Sequence, residues 1–527
     1  MNLKSLCATR FRGLDPGRVF ATGAKHHPAA RVVLDHDLAL YPEAGRALTF
    51  ATLAALVDDL AGRLRTAGVT PGHYVAVYAT HRFDLVLVAC AASRLGAVPV
   101  MLASTSDGAT AHALLAALDR PAFLVTDPAK LDGELAGVPV ADQVTGVLTT
   151  SGARPGTTAL DSLAPDGRPF PRVKSRDEPA LVTHSSGTTG LPKLVVQSAR
   201  SLYWHYRPQI RRARVLRLTG PLATCASFAH VRIWPMLAIA GRIGQTIAFV
   251  TDPEPGNAAE MLLRVQPEVV EAYPNVLQRW GELAGDPREP LAGIRLFRST
   301  FDALHPQIML RLLDASRRRL PLFSNGYGQS ELGGIVGFVG TRWMLRRYGT
   351  RCVGYPVTGV RIKVVHEDGP DRPGRIYARA RGRAIGIIGE QEQYERRFSD
   401  GWWELGDVGR RGRFGALYLL DREVDRIDGV DSTLSIEDTL LSRLPELVEI
   451  VVVRSAEGTP TPVVCTRDDR PLDPVRWRES SAEFAGLADP LQVRWRDLPA
   501  TSTWKIRRPE LRRRIEEGTL PLVGGLP

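Results

Sequence analysis

Between residues 49 and 102 the spacing of apolar residues alternates between two periods, and this alternation restricts the fold more than any other feature of the chain. Leu53, Leu56, Val57, Leu60 and Leu64 recur at helical spacing over residues 49–66, with Thr49 placed to cap the start. Pro71-Gly72 makes a turn, and Tyr74-Val75-Ala76-Val77-Tyr78 reads as a buried strand. A second helix over 83–95 meets Gly96, and Ala97–Leu102 reads as the next strand. Helix, strand, helix, strand is the rhythm of an α/β protein. It returns around 222–250 and 258–300. From about residue 353 short β-rich segments separated by glycines (Val360–Val365, Gly374–Ala378, Ala416–Leu420) predict a small barrel or sandwich. Beyond Asp421 follow a strand (Val448–Val453), a helix (Arg478–Leu487) and a basic C-terminal helix. A length of 527 residues implies two to four folding units.

Composition narrows the class. Apolar residues make up 44% and charged residues 24%, as in an ordinary globular enzyme. No run of 18 apolar residues exists, so no membrane span is expected. Residues Met1–Gly13 lack an apolar signal core. The five cysteines are far apart, which argues against a disulfide framework or a zinc site and for a cytoplasmic protein. A net charge of +11 raises the question of nucleic acid, but the arginines are mostly dispersed and no nucleic-acid motif accompanies them. A solvated basic face is the reading, with no nucleic-acid partner. Lysine is scarce, with seven residues, yet Lys193 and Lys505 both fall in motif positions.

The first motif is Ser185-Ser186-Gly187-Thr188-Thr189-Gly190-Leu191-Pro192-Lys193, which follows the apolar run Ala180-Leu181-Val182. Its glycines let backbone N–H groups approach an oxyanion closely. The hydroxyls add donors, and Lys193 adds a point charge. That is the chemistry of polyphosphate binding. The second is Asn325-Gly326-Tyr327-Gly328-Gln329-Ser330-Glu331. A tyrosine between glycines can lie flat against a base, Ser330 suits a phosphate oxygen, and Glu331 suits a magnesium ion. In Gly401-Trp402-Trp403-Glu404-Leu405-Gly406-Asp407 the aspartate can accept both hydroxyls of a ribose. Asp421-Arg422 and Leu498-Pro499-Ala500-Thr501-Ser502-Thr503-Trp504-Lys505-Ile506 complete the series. Singly, each fits a solvated turn or a capped strand end. In this order they form one constellation.

The ordered set resembles the adenylate-forming superfamily of acyl-CoA synthetases, aryl-acid ligases, adenylation domains and luciferases. Leu48-Thr49-Phe50 and Arg94-Leu95-Gly96-Ala97-Val98-Pro99 extend the resemblance to the N-terminal part. It implies an α/β fold: a large N-terminal domain (1–420) of two α/β lobes plus a small β-barrel, a hinge at 421–425, and a mobile C-terminal α+β domain over 426–527. It implies ATP and magnesium as cofactors, with coenzyme A an open acceptor. Lys505, Lys193 and Glu331 become the catalytic residues, with Glu331 on the metal. Ser185–Gly190, Lys193 and Ser330 hold the phosphates. Thr300, Phe301, Asp302, Asn325, Gly326, Tyr327, Asp407 and Arg422 surround adenine and ribose. His230, Val231, Trp234, Arg298, Gly333 and Gly334 form the acid pocket, for a hydrophobic or aromatic small-molecule acid.

The pattern is broken where the second half-reaction takes place. Val424 stands where the family has its hinge aspartate or lysine, and Asp428 and Asp431 enter its glycine-rich loop. Carboxylates there repel the phosphates of coenzyme A. Trp504 replaces the glycine before the catalytic lysine, and Arg298-Ser299-Thr300-Phe301-Asp302 replaces a small-residue loop. The sequence therefore leaves open an acid–CoA ligase with divergent loops, an enzyme whose acceptor is a carrier-protein thiol or an amine, or a nucleotide-binding protein without turnover. The amine acceptor includes an aryl amine when the activated acid is nitrite, with Arg298 or Arg232 on its carboxylate.

Overall fold

The computed structural model describes residues 13–170, 175–185, 191–300, 304–348, 351–366, 369, 373–499 and 506–523. The fold is α/β. One sheet has eight strands in the order Gly386–Ile388, Leu194–Ser198, Pro179–His184, Val98–Met101, Tyr74–Val77, Ala122–Thr126, Gly146–Thr149 and Thr157–Ala159. Its neighbours are parallel except at Leu194–Ser198, which runs antiparallel to both partners. Tyr74–Val77, Val98–Met101 and Ala122–Thr126 are buried at every position, as strands covered on both faces must be.

The second sheet has fourteen strands among the described residues. Its parallel part runs through Leu322–Gln329, Leu296–Thr300, Val269–Ala272, Leu222–Cys225, Ile247–Phe249 and Arg31–Leu34. Beyond Leu322–Gln329 come the antiparallel strands Gly333–Gly340, Cys352–Pro356, Leu417–Arg422, Trp402–Arg411, Gly374–Ala380 and Val360–Val365. The β-rich segments thus continue this sheet without a break in the hydrogen-bond ladder.

Helices Phe50–Thr66 and Asp84–Leu95 lie between the two sheets. Leu53, Leu60 and Val88 share one core with Val75 and Met101 of the first sheet and with Val32 and Ile247 of the second. The Thr49 side chain accepts the Thr52 N–H at 3.0 Å and so fixes where the first helix begins.

A third sheet of Leu447–Arg454, Pro460–Thr466 and Leu491–Gln492 packs with helices Thr433–Arg443 and Arg508–Glu516. The helix expected over 478–487 is instead Pro474–Ser481. Asp473 accepts the N–H groups of Val475 and Arg476, and Pro474 is preset for a first turn, so the helix starts four residues earlier than its apolar spacing suggests. Arg351 reaches Asp438 at 3.0 Å and joins this part to the second sheet. No described helix is long and apolar enough to cross a membrane.

Candidate active site

The strands Pro179–His184 and Leu194–Ser198 are joined by the Ser/Thr/Gly-rich segment, and its base is closed twice. Ser185 donates its N–H to the Lys193 carbonyl at 2.9 Å, and Lys193 returns its own N–H to Ser185 Oγ at 3.0 Å. Ser186, Gly187, Thr188, Thr189 and Gly190 lie outside the described residues, as do Phe301, Asp302 and Lys505. The Lys193 ammonium group is bonded to Glu390 and, at 3.0 Å, to Gln393 Oε1.

Strands Leu322–Gln329 and Gly333–Gly340 form a tight hairpin with Ser330 and Glu331 at its turn. Two glycines make the hairpin possible. A Cβ on Gly328 would lie 2.0 Å from the Gly333 carbonyl oxygen. Gly333 has φ +70°, and the His205 ring would sit 2.3 Å from its Cβ. His205 is buried, with Nε2 bonded to the Gly382 carbonyl at 2.8 Å. Burial brings its pKa down to about 4, so the ring is neutral at physiological pH.

The third wall comes from strand Trp402–Arg411, whose register sets Asp407 opposite Arg422 of Leu417–Arg422. The Tyr327 hydroxyl donates to Asp407 Oδ2 at 2.5 Å, and the Gln329 amide donates to the same oxygen at 3.3 Å. Arg422 Nε lies 4.0 Å from Asp407 Oδ1.

These walls enclose a cavity of about 880 Å³. Ser185, Lys193, Thr300, Gly326, Tyr327, Ser330, Glu331, Asp407 and Arg422 line it, together with His230, Val231, Arg298, Gly333 and Gly334. Two expected members are elsewhere. Trp234 is 0% exposed and belongs to the core between the sheets; Pro235, next on the same helix, lines the cavity instead. Strand alternation turns Asn325 away, into a second cleft of about 510 Å³ beside Asp438 and Arg508.

Glu331 is 7% exposed, and no described residue donates a hydrogen bond to its carboxylate. Among the described residues no cluster of three or more His, Cys, Asp or Glu could cage a metal. A single free carboxylate fits magnesium, which is commonly held by one or two carboxylates and substrate phosphates.

At the opposite end of the cavity, where Arg298 and Arg232 were expected, sequence reasoning missed Glu271 and Arg212. There Glu271, Arg298 and Ser324 occupy neighbouring register positions on three adjacent parallel strands. Arg232 binds Glu271 in a fork, Nε to Oε1 at 2.5 Å and Nη2 to Oε2 at 2.7 Å, and also donates to Gln209. Arg298 Nη1 reaches Glu271 Oε2 at 2.9 Å. Burial alone would raise the Glu271 carboxyl, but the two guanidinium groups outweigh it and hold it at about 2. A third guanidinium, Arg212 of helix Ala199–Val215, lines the cavity beside them. Burial, Arg298 and Arg232 lower it to about 10, so it stays cationic at neutral pH. The signal was present in the sequence: His205, Pro208, Gln209 and Arg212 fall at i, i+3, i+4 and i+7, and all four line the cavity.

The description "AMP-binding enzyme" matches the chain over residues 20–387. The chain is 40% identical over 536 residues to a 3-amino-2-hydroxy-4-methoxybenzoate diazotase from Streptomyces cremeus, covering 96% of this chain and 97% of that protein. It is 25% identical to a 3-aminoavenalumate diazotase from a Streptomyces species, over 77% and 74% of the two chains. Its fold superposes with a TM-score of 0.82 on an anthranilate CoA ligase in complex with anthranoyl-AMP, at 17% identity, over 98% of this chain and 99% of the other. The chain belongs to the AMP-binding enzyme family, the adenylate-forming enzymes.

Proposed function

We propose that this enzyme uses ATP to diazotise an aromatic amine, by adenylating nitrite and delivering the nitrosyl group to the amine nitrogen. The observation that carries the reading is the 40% identity, along nearly the whole of both chains, to a protein named as a diazotase of an aminohydroxybenzoate. Transfer of an activated carboxylic acid to coenzyme A or a carrier thiol is the competing outcome.

In the first half-reaction a nitrite oxygen attacks the α-phosphorus, the bond to the bridging oxygen breaks, and pyrophosphate leaves. Catalysis here is charge neutralisation and in-line placement. Ser185 and Ser330 offer hydroxyls, and Lys193 exchanges Glu390 and Gln393 for phosphate oxygens. Glu331 would hold magnesium, which when bound neutralises charge on those oxygens. Tyr327 and Thr300 wall the adenine, and Asp407 and Arg422 take the ribose. In the second half-reaction the amine nitrogen attacks the nitrosyl nitrogen, the bond from that nitrogen to the phosphate oxygen breaks with departure of AMP, and the amine releases one proton to give the nitrosamine. The nitrosamine then takes a proton and loses water, leaving the diazonium. His230, Val231, Gly333 and Gly334 flank the amine. The remaining assignments keep the same footing: a pivot at 421–425, a lid over 426–527 that carries Lys505, and a cytoplasmic reaction drawing on cellular ATP.

The loop after the pivot agrees with a non-thiol acceptor. Val424 is 66% exposed, and the Asp428 carboxylate is 98% exposed, with Arg454 no nearer than 3.8 Å. The test is pyrophosphate release across a panel of acids that includes nitrite with aminobenzoates, with the product trapped by azo coupling and weighed. Nitrite-dependent release with a trapped diazonium is expected. Thioester formation from coenzyme A at ~10⁴ M⁻¹s⁻¹ or better would replace this reading with that of an acid–CoA ligase.

A further inference from the structure

Among the described residues, the arginine end of the cavity holds three guanidinium groups and one carboxylate, and one of the three lacks a counter-ion. Arg232 and Arg298 share Glu271. Among the described residues none offers Arg212 a carboxylate or a hydrogen-bond acceptor, although its guanidinium lines the cavity. The fold also makes room for it. Arg212 Nη2 would lie 2.8 Å from a Cβ on Gly337, so the absence of a side chain there lets the guanidinium lie over the strand. A partly buried cation without a partner is costly, and a ligand that supplies the missing anion recovers that cost.

This end is far from the phosphates. Helix Ala199–Val215 runs along strand Gly333–Gly340, with His205 packed on Gly333 and Arg212 on Gly337. Seven helical residues separate the two contacts, about 10 Å at 1.5 Å per residue. The four strand steps from Gly333 to Gly337 give about 13 Å. Ser330 and Glu331 lie in the turn that enters Gly333, so the Glu331 end and the Arg212 end are roughly 10 Å apart. Pro208, Val231, Pro235 and Val336 supply apolar wall along the cavity. One carboxylate cannot occupy both ends.

We propose that Arg212, supported by Arg298, is the anchor for a carboxylate that the enzyme binds but does not activate. This rests on the aryl-amine reading above and deepens it. The acidic substrate is fixed by its carboxylate at Arg212, which leaves its amine directed along the cavity toward the adenylated oxyacid. The carboxylate selects the substrate and is held away from the α-phosphorus.

The experiment is titration calorimetry on the full chain saturated with α,β-methylene-ATP and magnesium. The probes are 3-amino-2-hydroxybenzoate and 2-aminophenol, which lacks the carboxylate. The wild type is expected to favour the acid by at least about tenfold, the scale of one charge-assisted pair. Arg212→Met should abolish the preference, Arg212→Lys should keep part of it, and Gly337→Ala should weaken it by displacing the guanidinium. Affinity for the nucleotide should stay the same in all three. Equal affinity of the wild type for the two probes, no measurable binding of the acid, or an unchanged preference in Arg212→Met overturns the assignment. So does a benzoyl-adenylate in the mass spectrum when ATP replaces the analogue. Failure of nitrite to support pyrophosphate release would remove the diazotisation reading alone, and the binding preference would still decide the anchor.

Discussion

Tyr327 donates its phenolic hydrogen to Asp407 at 2.5 Å and so joins two motifs that lie 80 residues apart in the chain. Gln329 donates to the same carboxylate oxygen, and Arg422 approaches the other. The side chain expected to lie against a base therefore also orients the carboxylate expected to take the ribose. Removing the hydroxyl in Tyr327→Phe should raise KM for ATP by about tenfold, the value of one hydrogen bond to a charged group, while kcat changes little. Initial-rate kinetics with ATP as the varied substrate checks this. An unchanged KM would show that Asp407 needs no such partner.

Two desolvated histidines make stability depend on pH. Burial lowers both His81 and His205 to about 4, against an ordinary value of 6.5. The folded state then holds fewer protons than the unfolded state between those values. Stability is complete above pH ~6.5 and falls as the pH drops toward 4, with a slope of up to ~1.4 kcal/mol per pH unit for each group. Urea midpoints measured from pH 7 to pH 4 should fall accordingly, and His205→Gln should flatten part of the slope. A profile that stays level across this window would contradict the neutral, desolvated placement of these rings.

Glu271 is the sole carboxylate within reach of Arg232 and Arg298 among the described residues. Glu271→Gln would leave three cations facing one another, a change expected to cost about 3–5 kcal/mol. Its pH dependence has the same sign as that of the histidines, with stability lost as the pH falls, but a lower window. A carboxyl held at about 2 contributes its stability above the ordinary 4.5 and loses it as the pH falls toward 2. The penalty of the substitution, read from urea unfolding of both proteins, should therefore be constant from pH 8 to 5 and shrink below about 4.5.

The sequence made the expected nucleotide end of the cavity legible because the chemistry of its motifs is local. Ser185 and Lys193, and Tyr327 with Ser330 and Glu331, each lie within a few consecutive residues whose types carry their own explanation. The helix at Phe50–Thr66 was equally readable, because Thr49 caps it and its leucines repeat at one period. The arginine end was legible only in part: Arg232 and Arg298 were expected there, Glu271 and Arg212 were not. Its charge pairing depends on Glu271 and Arg298 being neighbours across parallel strands, and parallel register is set by tertiary packing, not by adjacent residues. Arg212 sits in Arg211-Arg212-Ala213-Arg214, which reads as a solvated basic run until the helix is seen to turn one face into the cavity. Trp234 failed for a related reason: its neighbours His230, Val231 and Pro235 line the cavity, while the indole is directed into the core.

Arg508, three positions after Lys505 in the chain, is anchored from several sides. Its guanidinium binds both Glu437 oxygens at 2.8 and 2.9 Å, donates to the Val452 carbonyl at 2.7 Å, and lies 3.9 Å from Asp425 in the expected pivot. On the proposed pivoting of the C-terminal part, a lysine three residues from such an anchor is delivered to one place. Lys505→Ala should lower the rate of adenylation by at least ~10²-fold with little change in ATP affinity, because a preorganised donor acts on charge that develops in the transition state. Arg508→Met should lower the same rate with Lys505 intact, and should also lower the unfolding midpoint, since Glu437 is then buried without a counter-ion. Pre-steady-state pyrophosphate release together with nucleotide titration separates the two. If Lys505→Ala releases pyrophosphate at the wild-type rate, the C-terminal part does not close over the phosphates, and the anchoring of Arg508 serves stability alone.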